Sequence, residues 1–325
     1  MKTDTNQKIL DYIISKEQVS VKEIIDYVGI SRQAVFKQLA KLLEQKKIGK
    51  LGMPPKVFYV ALEKEKQKKS YETAKDVKTF IEERFMDVTP AGQKQKGWVA
   101  FVDWCSKRDQ DVEKSAVEYV NIIKKYDAIK KDGLIDGMQK MKNTFSEVYL
   151  DSLFYLDFYS IEKFGKTKIG KTLLYAKQSQ NKEMIKEITK EIRPVIQRLI
   201  KRYSIDAIAF VPPTVKREMQ FMKELEMNLG LNINIIHITK IKTPIIVPQK
   251  TLNRLEDRIE NARKTFIVRE TTSYNNILII DDAVGSGATL NEIAAQIKRK
   301  KLVKKKIIGL AITGSLKGFD VISEI

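Results

Sequence analysis

Two adjacent carboxylates, Asp281 and Asp282, stand just before a turn of small residues and make the clearest chemical signal in the sequence. The residues after this acid pair are mostly small or carry hydroxyl groups: Val284, Gly285, Ser286, Gly287, Ala288 and Thr289. Glycines let the backbone approach an anion closely, and the first turn of a helix offers unpaired N–H groups. Carboxylates at the start of the loop can accept hydrogen bonds from neighbouring ribose hydroxyls. The pattern therefore predicts a site for a phosphorylated sugar.

Two elements must position this loop. The apolar run Ile277–Ile280 shows no alternation, which is typical of a parallel strand covered on both faces. Apolar residues after the loop follow helical spacing: Leu290, Ile293, Ala294 and Ile297. An ordinary strand–turn–helix corner with a capping serine is the alternative, and the acid pair beside a G-S-G-A-T turn argues against it.

Residues 277–290 resemble the motif that binds phosphoribosyl pyrophosphate (PRPP) in type I phosphoribosyltransferases. In that family, four apolar residues precede two acids, two apolar residues, two small residues and G-A-T. Ala283 is smaller than the usual branched residue, and Gly285 stands where Thr or Ser is common. Neither departure removes a side chain that the ligand needs. The resemblance implies that the acid pair holds the ribose and stabilises positive charge at C1, while Ser286–Thr289 hold the 5-phosphate.

Strands and helices alternate from about residue 150 onward. The predicted elements are helices at Lys182–Tyr203, at Val215–Leu229 and around Leu252, Leu255 and Ile259, and strands at Asp206–Val211, Ile233–Ile238 and Ile307–Thr313. This alternation predicts an α/β fold with an open parallel sheet. The ligand of such a sheet binds at the carboxyl ends of its strands, where the acid pair and a loop with Pro212 and Pro213 both lie.

Residues 159–315 also resemble the ComF-like branch of the same family. The motifs of that branch occur here in order: Val211-Pro212, Lys216-Arg217, Pro244 with Gln249, Arg258 with Asn261, and Phe266. Two features depart from it. First, residues 217–221 stand where that branch has the loop R-G-F-N-Q, so the resemblance does not extend to the acceptor. Second, the N-terminal cysteine zinc ribbon of that branch is absent, so the resemblance does not extend to a shared biological role.

The resemblance implies displacement of pyrophosphate from C1 of PRPP through an oxocarbenium-like state. Mg²⁺ would bind through the substrate and keep several waters, so no metal site built by the protein alone is expected. The loop with Pro212 and Pro213 would contact the substrate, and the basic loop Lys240–Gln249 would close over it. Candidates for the pyrophosphate side are Lys216, Arg217, Lys240 and Lys242, of which the last two join the acid pair as catalytic candidates. For each lysine, a solvated surface charge is the alternative.

The first 62 residues predict three helices and a hairpin. Ser20 and Glu23 form a capping-box pattern around the start of a helix at Val21–Val28, and Gly29 ends that helix. Ser31 caps a third helix, and two short strands follow it. This segment resembles a winged helix-turn-helix of bacterial regulators.

In such a domain the third helix enters the major groove with its N-terminal side chains on base edges. Arg and Gln side chains can contact bases in bidentate fashion, and lysines can contact phosphates. The candidate nucleic-acid-binding residues are Ser31, Arg32, Gln33, Lys37, Lys41, Lys50 and Lys56. A winged helix used only for protein contacts is the alternative.

The chain has 325 residues, a single cysteine and a formal net charge of +19. This charge favours nucleic acid as a partner. The alternative is that the charge only reflects a lysine-rich composition caused by biased codon usage. No apolar run approaches the roughly 20 residues of a membrane helix, and the N-terminus lacks the apolar segment of a signal peptide. The lone Cys105 excludes an internal disulfide and a cysteine zinc cluster. We expect a cytoplasmic protein that does not bind membranes.

Three domains are predicted: a winged helix at 1–62, a helical connector or hood at 63–150, and a phosphoribosyltransferase-like α/β domain at 151–325. The charge-dense stretch Glu63–Ser70 is typical of a linker. Helices are expected around Phe80, Phe101 and Val120, with the nearby aromatic residues in a core rather than a binding platform. We find no chemistry in this connector.

Two functions are compatible with these patterns. In the first, the chain couples PRPP binding or turnover to DNA or RNA binding, as the resemblance to purine operon repressors implies. In the second, it is an active phosphoribosyltransferase or PRPP-cleaving effector, which resembles effectors of retron anti-phage defence systems partnered by a reverse transcriptase and its RNA–DNA product. Either protein is expected to form a homo-oligomer.

Overall fold

The computed structural model describes residues 4–16, 18–62, 71–213, 215, 217–241, 244–245, 247 and 251–315. The chain forms two compact units. The first unit contains the described residues as far as Glu72 together with Thr89–Gln93, and the second contains Thr73–Val88 and the described residues from Lys94 onward. The division into three domains at residues 62 and 150 stays a prediction, and the stretch 63–70 lies outside the described residues.

The first unit is built from three helices and a small antiparallel sheet. Its elements are α1 (Thr5–Lys16), β1 (Gln18–Ser20), α2 (Val21–Val28), α3 (Arg32–Glu44), β2 (Ile48–Met53) and β3 (Lys56–Ala61). The strand order is β1-β3-β2, and all pairs are antiparallel. The predicted second and third helices and the hairpin are therefore confirmed as elements, and the winged-helix assignment stays a prediction.

Local signals set the ends of α2. The Ser20 side chain accepts a hydrogen bond from the Glu23 backbone N–H, and the Glu23 carboxylate accepts one from the Ser20 backbone, which completes the predicted capping box. Gly29 ends the helix in the left-handed region at φ +67°. These contacts satisfy backbone groups that a helix end leaves without partners. Apolar side chains from all three helices then form the core: Ile9, Ile13, Ile24, Val35, Leu39 and Leu42.

The second unit begins with four helices and three short strands, of which β6 is an edge strand of the main sheet. They are α4 (Lys75–Arg84), β4 (Met86–Val88), β5 (Lys94–Lys96), α5 (Gly97–Ser106), α6 (Val112–Asp127), β6 (Ile135–Asp136) and α7 (Met138–Thr144). The three predicted helices are confirmed as α4, α5 and α6. Phe101 and Trp104 are buried, as is Cys105, while Trp98 is half-buried, so the expected aromatic core is confirmed for Phe101 and Trp104.

The remaining elements form an α/β fold. They are β7 (Ser152–Phe158), β8 (Ser160–Ile161), β9 (Gly165–Lys166), α8 (Lys168–Gln178), α9 (Lys182–Tyr203), β10 (Ala207–Phe210), α10 (Phe221–Leu229), β11 (Asn234–Lys240), α11 (Leu255–Thr265), β12 (Phe266–Arg269), β13 (Tyr274–Val284), α12 (Ala288–Arg299) and β14 (Val303–Gly314). The predicted helix at Lys182–Tyr203 is confirmed at both ends.

Seven strands form the main sheet in the order β12-β11-β10-β13-β14-β7-β6. The pairs from β11 to β7 are parallel, while the edge strands β12 and β6 are antiparallel. The sheet is thus mostly parallel, and the purely parallel prediction was wrong at its edges. Helices α8, α9 and α10 cover one face through a large apolar core, and α12 packs on β12 and β14. Within the described part of the chain, no helix is long and apolar enough to cross a bilayer.

Some predicted boundaries were wrong, and one of them matters for the site. The predicted helix from Val215 begins only at Phe221, because an irregular segment follows β10. The strand predicted at Ile277–Ile280 extends to Val284, because Val284 still pairs with Gly314 of β14. The acid pair therefore lies inside the carboxyl-terminal part of a strand rather than in the loop after it.

Candidate functional site

The carboxyl ends of β10 and β13 lie side by side at the centre of the sheet. Phe210 pairs with Ile280, and the Val211 N–H donates to the Ile280 carbonyl oxygen at 2.9 Å. From this pair of strands the sheet continues through β11 on one side and β14 on the other. An open α/β sheet forms its ligand crevice where its strand order reverses in this way. The acid pair thus occupies the position where such a sheet binds ligands.

The two acids face different surroundings. Successive side chains of a strand point to opposite faces of the sheet, and Asp281 and Asp282 are consecutive in β13. Asp282 forms an ion pair with Lys177 of α8, with 2.8 Å between Oδ2 and Nζ. The Asp281 Oδ1 atom accepts the Asp282 backbone N–H at 2.7 Å, and its charge acts on Lys240 at the end of β11. Lys177 therefore pairs with Asp282, and its charge acts on Asp281 together with that of Lys240.

Burial shifts the pKa of two groups toward neutral pH. It raises the pKa of Asp281 to about 8, and the charge of Asp282 contributes in the same direction. Burial also lowers the pKa of Lys240 to about 8, against the attraction of Asp281. The Lys240 ammonium lies 4.4 Å from the centre of the Phe266 ring, so an apolar ring face takes the place of water on one side of the charge. A carboxyl and an amine that both titrate near neutral pH are typical of functional sites.

The small residues after the acid pair form the phosphate loop, Val284–Thr289. Gly287 lies in the left-handed region at φ +88° and immediately precedes α12. The backbone angle favours glycine, and a Cβ atom at Gly287 would also overlap Sδ of Met141 in α7, whose flexible side chain would have to shift. The Ser286 Oγ atom accepts the Ala288 N–H at 3.3 Å. The loop therefore presents the start of α12, with its N–H groups and positive dipole end, as an anion-binding position.

The connector takes part in this geometry, although its sequence showed no chemical motif. The segment after α7 is fixed to α12 by Asn291, whose side-chain amide donates to the Glu147 carbonyl oxygen and whose Oδ1 accepts the Tyr149 N–H, both at 2.9 Å. Met141 packs against the phosphate loop at the other end of this segment. These contacts hold the loop and its helix in place.

A groove of about 1160 Å³ opens beside the strand ends. Four predicted site residues line it: Pro212, Pro213, Arg217 and Lys240. Its other described lining residues come from α9, α10, α11 and the loops between them, among them Met227, Asn261 and Thr265. No residue of the phosphate loop belongs to this described lining. Lys216, Lys242 and half of the loop Lys240–Gln249 lie outside the described residues.

Lys177 is the site residue that sequence reasoning missed. It lies in the last turn of α8, a helix that the sequence analysis did not predict. The Arg217 guanidinium donates a hydrogen bond to the Lys177 carbonyl oxygen. No local motif marks Lys177, because its partners belong to β13 and to the segment after β10, which are distant in sequence.

The predicted nucleic-acid-binding residues occupy the surface of the first unit. Ser31 caps α3 through a hydrogen bond from the Ala34 N–H at 3.3 Å. The Arg32 guanidinium lies 5.6 Å from the centre of the Phe36 ring, and 42% of Phe36 is exposed. The candidate side chains are exposed on α3 and the β2–β3 hairpin: Ser31, Arg32, Gln33, Lys37, Lys41, Lys50 and Lys56.

Comparison with known proteins gave structural similarities alone. No family model and no curated protein matches the chain. A hypoxanthine-guanine phosphoribosyltransferase from Bacillus anthracis is 15% identical, covers 44% of this chain and 75% of its own, and has a TM-score of 0.28. A hypoxanthine phosphoribosyltransferase from Staphylococcus aureus is 17% identical, with 41% and 75% covered and a TM-score of 0.24. An adenine phosphoribosyltransferase from Leishmania tarentolae is 14% identical, with 42% and 74% covered and a TM-score of 0.24. Similarity at this level assigns no function to the chain.

Proposed function

We propose that the second unit binds PRPP. The observation that carries this proposal is the acid pair at the carboxyl end of β13, followed within a few residues by the Gly287 turn and the start of α12. Carboxylates accept hydrogen bonds from vicinal ribose hydroxyls, and a helix start after a glycine turn accommodates a phosphate. The acid pair would hold the ribose and the phosphate loop the 5-phosphate. Arg217 and Lys240 would face the pyrophosphate.

Mg²⁺ fits this proposal as an ion carried by the substrate. Among the described residues, no group of three or more His, Cys, Asp and Glu side chains is arranged to hold a metal. Mg²⁺ commonly keeps several waters and binds through substrate phosphates with one or two carboxylates. The pyrophosphate oxygens would supply its main ligands, and the acid pair would orient the ribose beside it.

The binding experiment is a thermal unfolding measurement with PRPP and Mg²⁺. At 100 times its dissociation constant, a ligand adds about 2.7 kcal/mol to the free energy of unfolding. The double variant Asp281→Asn with Asp282→Asn should lose this stabilisation. Asp76→Asn, at an exposed position of α4, is the matched control and should keep it. An unchanged gain in the double variant would show that PRPP does not use the acid pair.

We also propose that the first unit binds DNA or RNA as a winged helix, so that PRPP and nucleic acid are coupled ligands. The exposed side chains at the start of α3 and on the β2–β3 hairpin support this, as does the net charge of +19. Coupling between two ligands is reciprocal in binding free energy. PRPP should therefore change the affinity for nucleic acid by the same factor by which nucleic acid changes the affinity for PRPP.

The environment of Lys240 favours a second candidate function, catalytic turnover of PRPP. An amine beside Asp281 with its pKa lowered to about 8 can neutralise a leaving pyrophosphate or exchange a proton. Lys240→Ala should then reduce pyrophosphate release sharply and spare part of the PRPP binding. The assay measures pyrophosphate release with a panel of bases, nucleotides and nucleic acids as acceptors. A wild-type protein that binds PRPP and releases none with any acceptor is a regulator instead.

A further inference from the structure

The ion pair between Lys177 and Asp282 occupies a carboxylate that the proposed ligand also needs. Lys177 Nζ lies 2.8 Å from Asp282 Oδ2, with 30% of the lysine side chain and 19% of the aspartate side chain exposed. Both side chains keep part of their surface in contact with solvent, so the pair is not sealed in the protein interior. A ligand in the site can therefore reach it and compete with Lys177 for the carboxylate.

A ribose hydroxyl alone is a poor replacement for an ammonium group. A hydroxyl donates a charge-assisted hydrogen bond to the carboxylate, but it brings no positive charge to replace that of the ammonium group. A sugar that takes Asp282 from Lys177 must therefore leave an unpaired lysine behind, unless it brings a second anion within reach of that lysine. PRPP brings one, because its pyrophosphate is attached to C1, next to the carbon atoms that bear the ribose hydroxyls.

Lys177 is placed to change partners in this way. It belongs to the last turn of α8 and carries three N–H donors on a flexible stem. Its carbonyl oxygen accepts a hydrogen bond from Arg217, the residue proposed to face the pyrophosphate. The end of α8 thus gathers two cationic side chains beside the acid pair, one of them anchored to the backbone and one able to move.

We propose that Lys177 is an exchangeable counter-ion, which pairs with Asp282 in the empty site and transfers to the pyrophosphate of PRPP when the ribose hydroxyls take the carboxylate. This inference rests on the proposed PRPP site. It makes Lys177 a specificity residue, because a ribose 5-phosphate without pyrophosphate displaces the lysine and gives it no new partner. The site then discriminates PRPP from ribose 5-phosphate through one side chain outside the phosphate loop.

Calorimetric titration of two ligands tests the exchange. Lys177→Gln removes the charge and should weaken binding of PRPP with Mg²⁺ at least tenfold, while ribose 5-phosphate binds as well as before or more tightly. Lys177→Arg should keep the preference for PRPP. Lys190→Gln, at an exposed position of α9, makes the same change in net charge and should alter neither affinity. Lys177→Met repeats the measurement with a side chain that cannot donate a hydrogen bond.

The outcomes separate this inference from the binding proposal. A wild-type protein that binds neither ligand overturns the PRPP site and the counter-ion together. If the wild type binds PRPP but Lys177→Gln and Lys177→Met weaken both ligands by the same factor, Lys177 only supports the structure. If they weaken neither, the lysine does not contact the ligand. Only a change in the ratio of the two affinities supports the exchange.

Discussion

At the scale of single residues, Asp281 is a candidate ligand-binding group that lowers the stability of the folded protein. Its carboxyl group is partly buried and lies beside a second acid, so its pKa is raised from 3.8 to about 8. The folded protein therefore keeps a proton that the unfolded chain releases at lower pH. Groups arranged for a ligand commonly destabilise the protein that carries them.

The variant Asp281→Asn should be more stable than the wild type, by an amount that grows with pH. A group with a raised folded-state pKa contributes stability that is present below pH 3.8 and is lost as pH rises through about 8. Asparagine removes this loss. The free energy of unfolding of the variant should therefore exceed that of the wild type by on the order of several kcal/mol near pH 8, since one pKa unit corresponds to about 1.4 kcal/mol. Urea unfolding at several pH values between 4 and 8 measures the difference.

The same variant should lose the stabilisation that PRPP gives, because asparagine is a weaker acceptor of the ribose hydrogen bonds. Asp76→Asn again serves as the control, since it makes the same chemical change at an exposed position of α4. Parallel profiles for Asp281→Asn and the wild type over this pH range would contradict the raised pKa.

At the scale of elements, the phosphate loop depends on a helix from the connector. Gly287 adopts φ +88° against Met141 of α7, and only 1% of Met141 is exposed. The methionine side chain would have to shift to admit a Cβ atom at Gly287. The element that the sequence left without a chemical role is therefore one wall of the proposed anion site.

Gly287→Ala should destabilise the protein more than the same replacement at a glycine that has no neighbouring atoms close to an added Cβ. A Cβ atom in the left-handed region costs about 1–2 kcal/mol, and at Gly287 the contact with Met141 adds to this. Gly165→Ala is the matched control, because Gly165 has φ +71° and no atom within 4 Å of an added Cβ. Denaturant unfolding compares the two, and PRPP affinity should fall for Gly287→Ala alone.

The combination of Gly287→Ala with Met141→Ala isolates the packing contribution. Removing the methionine side chain should recover part of the stability that Gly287→Ala loses, beyond what the two single changes predict if they act independently. Strictly additive effects would show that Met141 does not limit the backbone at this turn.

At the scale of the whole molecule, the proposal of a second ligand rests on the net charge and on the exposed side chains of the first unit. The net charge of +19 is a property of the chain rather than of one site. Such a charge draws polyanions to a protein without selecting a sequence. Selection has to come from side chains that reach base edges, and the candidates for this lie at the start of α3.

Arg32→Ala and Lys50→Ala should affect nucleic-acid binding differently. Loss of a base contact should weaken preferred sites by about 1–3 kcal/mol and weaken random sequences less. Loss of a phosphate contact at Lys50 should weaken both alike and reduce the dependence on salt. Fluorescence anisotropy at several salt concentrations measures each effect, with Lys190→Gln as a charge-matched control. If both variants bind as the wild type does with unchanged salt dependence, these surfaces do not contact nucleic acid.

The sequence by itself determined the features that depend on neighbours a few residues away. The capping box of Ser20 and Glu23, the stop at Gly29 and the whole of α9 were predicted from local patterns and confirmed. The alternation of strands and helices was enough for a mostly parallel sheet. Helix periodicity and caps depend on residues within about four positions of each other, so they can be predicted from the sequence alone.

The tertiary structure decided what the acid pair touches. Pairing with β14 extends β13 to Val284, so Asp281 and Asp282 are strand residues whose side chains lie on opposite faces of the sheet. Lys177 reaches Asp282 from a helix that showed no motif, and burial rather than residue type moves the pKa of Asp281 and Lys240. Ion pairs and desolvation depend on distances in space and on the exclusion of water, which arise only when distant segments of the chain pack together.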